Sequence, residues 1–258
     1  MKFDADLTAC ADLVRRADPD RFMAAMAAPP PARRVLFAIY ALNVEVARAP
    51  WVTQEAMIAE MRLQWWRDAM DEIATGKQVR RHEVVTPVAG FLTPDLAAQA
   101  DEMIAVRRWD IYRDPFEDEA HFERYIDQTS GTLMWLSARS LGQADETVVR
   151  DFAFATGVAN WLRAIPDLEE RKRVPLLDGT ADGVRALAQR GLERLQRARG
   201  QRDAVSAQAA PALLAGWQAG AILTQAARHP GRVAAASLGT SEARKRLSLM
   251  LRAATGRW

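Results

Sequence analysis

Proline and glycine divide this chain into segments that read as helices, and almost nothing between them reads as a strand. Ala, Leu, Arg, Glu, Gln and Met fill most of the length, and all of them favour the helix. Val and Ile hardly ever alternate with polar residues over the length a strand needs. The pattern predicts helices over 4–16, 21–28, 32–49, 53–75, 95–112, 119–141, 145–165, 180–199, 202–228 and 241–254. Asp18-Pro19 ends the first, Pro29-Pro30-Pro31 the second and Pro50 the third. Thr53 is a candidate cap for the fourth, which Gly76 closes. No linker argues for a domain boundary, so the expected class is all-α, one large helical bundle spanning 1–258.

Composition narrows the function classes. With 49% hydrophobic and 26% charged residues, the chain can build an ordinary core and is not a disordered one. Thirty-five basic against thirty-three acidic residues leave a net charge of only +2, so no nucleic-acid partner is expected. Cys10 is the single cysteine, which excludes a disulfide within the chain and a thiolate metal cluster. His82, His121 and His229 lack ligand spacing. The first twenty residues carry early acids and no apolar core, unlike a secretory signal. No apolar run reaches the roughly 18 residues of a transmembrane span. A cytoplasmic protein is expected, and a peripheral contact with the inner membrane stays open.

Helical periodicity proposes core faces. In 53–75, Ile58, Met61, Trp65, Ala69 and Ile73 share a stripe; in 32–49, Leu36, Ile39, Asn43 and Val46 do. Asn43 stands out, because a buried amide needs partners.

Five segments, in order, carry a resemblance: Leu36 to Ala47 (LFAIYALNVEVA), Met61 to Asp68 (MRLQWWRD), Val106 to Tyr112, Tyr125 to Thr132, and Gly157 to Pro166 followed by Arg171 to Val174. Together they resemble the squalene/phytoene synthase family over nearly the whole chain. The resemblance implies the all-α isoprenoid synthase fold. It also implies a central cavity in which active members condense two prenyl diphosphates head to head. In those members two aspartate-rich motifs on facing helices hold Mg²⁺, which holds the diphosphate. Carboxylates one helical turn apart share a face, and two such faces can grip a hard cation.

This chain departs from the family at those motifs. The first reads Val46-Ala47-Arg48-Ala49, and the second reads Leu162-Arg163-Ala164-Ile165-Pro166, with Asp167, Glu169 and Glu170 beyond. One ion pair at 4 Å is worth about 4 kcal/mol at an effective dielectric of 20, and a micromolar ligand has only about 8 kcal/mol in total. Loss of several ligating carboxylates therefore removes the family's Mg²⁺ site. The pattern resembles a branch with degenerate motifs, which includes a mitochondrial assembly factor for respiratory complex I. That likeness implies a binding protein with no cofactor. Its expected partners are respiratory-chain subunits or an isoprenoid or lipid ligand. The alternative is an active Mg²⁺-dependent prenyltransferase with an altered diphosphate site.

The candidate cavity or ligand-binding residues are Asn43, Glu45, Arg62, Gln64, Asp110, Arg163, Asp167, Arg171 and Arg173. None is expected to be catalytic or metal-ligating. Each has a plainer reading. Asn43 and Glu45 can be a core amide and a surface acid. Arg163 with Asp167 can be an ion pair at the cavity mouth or a weak surface pair. Arg171-Lys172-Arg173 can bind an anion or be a solvated charge run. Asp68, Asp71 and Glu72 read as a solvated face, and the abundant tryptophans read as core.

Overall fold

The computed structural model describes residues 4–258, and Lys2 lies outside them. Its main helices are α1 (Ala5–Ala17), α2 (Pro19–Ala27), α3 (Pro30–Arg48), α4 (Ala56–Ala74), α5 (Val85–Ala89), α6 (Pro94–Val106), α7 (Trp109–Tyr112), α8 (Glu119–Ile126), α9 (Thr132–Leu141), α10 (Glu146–Glu170), α11 (Ala181–Gly200), α12 (Ala219–Arg228), α13 (Gly231–Ala234) and α14 (Glu242–Thr255). Side-chain oxygens cap many starts: Asp4, Asp18, Thr93, Asp118, Asp145 and Thr180 each accept from a backbone N–H in the first turn.

The third and tenth helices form the centre. From Leu36 to Leu42 every residue of α3 is buried, which places that stretch inside the bundle rather than on its surface. In α10, Phe152 to Ala159 is buried without a break. Between them lies a π-helical turn, Asp127–Gly131, joining α8 to α9. Such turns widen a helix locally and are common at functional sites. Gly157 lets α10 come close to this turn: a Cβ there would lie 2.7 Å from Ile126 Cγ2 and 2.8 Å from Ser130 Cβ. Gly157→Val is expected to cost about 1–3 kcal/mol by overpacking. Urea unfolding measures it, and an unchanged midpoint would contradict the close approach.

Several helix boundaries differ from the sequence reading. Helix α10 runs through Pro166 to Glu170 instead of stopping at 165. Proline removes one amide and costs about 3 kcal/mol in a helix interior, but burial of Leu162 and Ile165 holds this turn in place. The predicted 202–228 helix is broken: Ala210–Gly216 is a 3₁₀ helix and α12 starts only at Ala219. Pro211 and Gly216 are the local breakers. Helix α4 starts after Glu55, and Thr53 serves the preceding turn by accepting from Glu55 N at 3.1 Å. The buried residues of α4 are Ala59, Leu63, Trp66, Ala69, Met70 and Ile73; Ala69 and Ile73 of the predicted stripe hold, while Ile58 and Met61 are 39% and 66% exposed and Trp65 is half-buried. The buried and the predicted set both satisfy the helical period; packing against α6 selects the first.

Candidate functional site

A cavity of about 960 Å³ opens between α3, α10, the π turn, α2 and the 3₁₀ helix. Small side chains make the room: Ala47 on α3, Gly157, Ala159 and Ala164 on α10, and Ala215 and Gly216 on the 3₁₀ helix all line it. The deeper polar positions are mostly uncharged, apart from Arg107, which is paired with Asp110. Asn43 is buried on the α3 wall, and Ser130 and Thr129 stand on the π turn. Thr129 donates to Tyr125 O at 2.6 Å, which leaves its hydroxyl already engaged.

The charges lie at the rim and are mostly paired. Asp20 of α2 is the hub: it accepts from Arg163 Nη1 and from Gln218 Nε2, each at 2.8 Å, and Lys245 Nζ of α14 stands 3.9 Å away. Asp18 caps α2 and pairs with Arg21. Glu242 pairs with Lys245 at 2.8 Å. The predicted pair of Arg163 with Asp167 is corrected here, because Arg163 turns across the cavity to Asp20. Arg171 lies over the Trp51 ring at 5.0 Å.

Behind the wall is a buried charge network. Asp110 is 5% exposed. Its carboxylate accepts from Tyr125 OH at 2.9 and 3.0 Å and from Arg107 Nη1 at 3.3 Å. Arg173 donates from Nη1 to the Asp110 carbonyl at 2.8 Å, and its Nη2 stands 3.7 Å from the carboxylate. Its guanidinium also stacks 4.4 Å from the Trp109 ring centre. Burial lowers the Arg173 pKa despite Asp110. Burial opposes the charge of Arg107 too, but Tyr125 and Asp110 outweigh it and raise that pKa. Burial and then Asp110 raise the Tyr125 hydroxyl, so it stays a neutral donor.

The structure therefore divides the sequence-derived candidates. Asn43, Arg163, Asp167 and Arg171 line the cavity. Asp110 and Arg173 sit behind its wall, and Arg173 is no part of a solvated charge run. Glu45 pairs with Arg48 at 2.7 Å and does not line the cavity. Arg62 and Gln64 are exposed on α4, with Gln64 donating to Asp68 at 2.7 Å. Sequence reasoning missed Asp18, Asp20, Arg21, Arg107, Tyr125, Gln218 and Lys245. The Asp18 to Arg21 run was readable only as a helix break.

The donor set does not fit Mg²⁺. That ion needs near-octahedral oxygen ligation, usually with carboxylates. Among the described residues no group of three His, Cys, Asp or Glu could hold a metal ion. The rim acids Asp18, Asp20 and Glu242 are each matched by a cation. At the positions where the two motifs belong stand Ala47, Arg48, Ala164 and Ile165.

A family model described as squalene/phytoene synthase matches residues 14–176. The chain belongs to the squalene/phytoene synthase family. A solved dehydrosqualene synthase in complex with ligand has the same fold, with a TM-score of 0.78 at 14% identity, covering 97% of this chain and 95% of that one. Within the family the chain is similar to proteins named NADH dehydrogenase (ubiquinone) complex I, assembly factor 6. The Drosophila melanogaster homolog is 29% identical over 177 residues, covering 65% of this chain and 53% of that protein. The Homo sapiens protein is 24% identical over 180 residues, covering 64% and 51%. The chain thus spans about half the length of the curated relatives it matches. No helix among the described residues is long and apolar enough to cross a membrane.

Proposed function

We propose that this protein is a binding member of its family that no longer condenses prenyl diphosphates and serves the assembly of respiratory complex I. One observation carries the reading. The cavity keeps a volume of about 960 Å³ while alanine, arginine and isoleucine stand at the metal-clamping positions of its walls. The volume is that of a small-molecule pocket. Its small apolar positions, Ala47, Gly157, Ala159, Ala164 and Ala215, suit an apolar ligand, such as an isoprenoid or lipid, or an apolar partner helix. Most rim cations already have an anion, Arg163 with Asp20 and Lys245 with Glu242 among them, which weakens their pull on an entering diphosphate. Similarity to proteins named as complex I assembly factors supports respiratory-chain subunits as partners.

Affinity capture of the full chain from a native lysate of its source tests this. Complex I subunits are expected to be enriched over an unrelated bait of equal charge. The Ala47→Leu/Ala164→Leu double variant narrows the cavity from two walls and is expected to reduce that enrichment if the cavity holds the partner, with folding checked by circular dichroism. Absence of complex I subunits from the captured set would contradict the assembly role.

A further inference from the structure

A second cavity, about 690 Å³, lies between α11, α12 and α14 and is separate from the central one. Arg199, Arg228, Arg244 and Arg252 line it, and no Asp or Glu does. Arg202 is close enough to lower the pKa of both Arg199 and Arg252. Burial, then Arg252 and Arg202, brings Arg199 down to about 10. The cluster is thus a concentration of positive charge with no Asp or Glu among its lining residues. Arg199 Nε and Arg202 Nη2 reach a main-chain oxygen of Trp258, at 3.1 and 3.4 Å. Arg199 Nη2 and Arg202 Nε are buried with no hydrogen-bond partner among the described residues.

The outer side of α14 supplies a second, independent feature. Ala243, Leu247, Met250 and Ala254 recur at helical spacing with Leu251 beside them, and all are exposed. Leu247, Met250 and Leu251 are 58%, 66% and 58% exposed. The helix docks through its other side, where Leu249 and Ala253 meet Ala24, Leu214 and Trp217. Arg244 and Arg246 flank the exposed stripe on opposite edges. The helix carries four basic residues and one acid, Glu242, which is paired with Lys245. An apolar stripe edged by arginines is the pattern of a helix lying in a lipid interface.

We infer that α14 rests on an anionic phospholipid bilayer, its leucine and methionine stripe among the acyl chains and a lipid phosphate held by the arginines of the adjoining cavity. Arginine suits this role because its fork of donors matches phosphate oxygens in pairs. The surface is independent of what the central cavity binds.

Vesicle flotation of the full chain tests the inference. The protein is expected to float with phosphatidylcholine vesicles enriched in phosphatidylglycerol and to stay in solution with phosphatidylcholine alone. Arg244→Gln/Arg252→Gln should weaken binding about 25-fold, roughly fivefold per arginine. Leu247→Ser/Met250→Ser should weaken it through the stripe, with folding of each variant checked by circular dichroism. If a variant unfolds, salt titration of the unaltered chain decides, because headgroup attraction is screened. Equal binding to both vesicles, binding to neither, or binding indifferent to the arginines or to salt overturns the inference. Stabilisation by inorganic phosphate without vesicle binding also overturns it, and assigns the arginines to a soluble phosphate compound. Preference for an oligonucleotide over the vesicles overturns it as well.

Discussion

Asp110→Ala should destabilise the protein by about 3–5 kcal/mol, the cost of leaving a buried charge without its partner. The carboxylate accepts hydrogen bonds from Tyr125 and Arg107 and faces Arg173, whose side chain is buried. Removal leaves two guanidinium groups in a poorly solvated space with no anion between them. It also deprives the neutral Tyr125 hydroxyl of its acceptor. Asp110→Asn keeps an acceptor but loses the charge, so its cost should be smaller than that of alanine. The Asp110→Ala/Arg173→Met pair should be less damaging than the sum of its single changes, because the second removes a cation that the first orphaned. Urea unfolding of these variants and of Arg173→Met alone measures each term. A loss below about 1 kcal/mol for Asp110→Ala would mean an exposed pair instead.

Phe116→Ala should cost about 3–5 kcal/mol, as expected for truncating a buried aromatic. Phe116 lies between α7 and α8 and is buried at the centre of an aromatic cluster. Its ring stacks on Trp109 at 4.2 Å and meets the edges of Phe122, Tyr125 and Trp161 at 5.1 to 5.7 Å. Trp161 is tied to the following loop by donation to Pro175 O at 2.9 Å. The cluster thus joins α7, α8 and α10 and supports the wall that Tyr125 and Trp161 present to the cavity. Phe116→Leu keeps most of the buried area and should cost under half as much. Thermal unfolding separates the two, and equal small losses would show that the wall does not rest on this ring.

The helical class was legible because helix-forming residues run between breakers with no competing strand pattern. The cavity walls were legible because LFAIYALNVEVA and GVANWLRAIP carry a family's order along the chain. The rim was not. Arg163 and Gln218 meet Asp20 across 143 and 198 residues, and spacing along a chain says nothing about such meetings. The first half of the α4 stripe, Ile58, Met61 and Trp65, failed for a different reason: two neighbouring apolar stripes fit one period, and only the position of α6 decides between them. Arg173 looked like part of a solvated run, yet the turn after α10 carries it inward onto Trp109 while Arg171 and Lys172 stay exposed. The burial of charge at Asp110 and Arg173 depends on a fold that must first bring 110, 125 and 173 together.

On this reading the cavity has kept its room and lost its metal clamp. Incubation of the purified chain with farnesyl or geranylgeranyl diphosphate and Mg²⁺, followed by extraction and chromatography of the lipid products, tests it most directly. The substrate is expected back unchanged. A head-to-head condensed C30 or C40 product, dependent on Mg²⁺ and absent from a heat-denatured control, would contradict it.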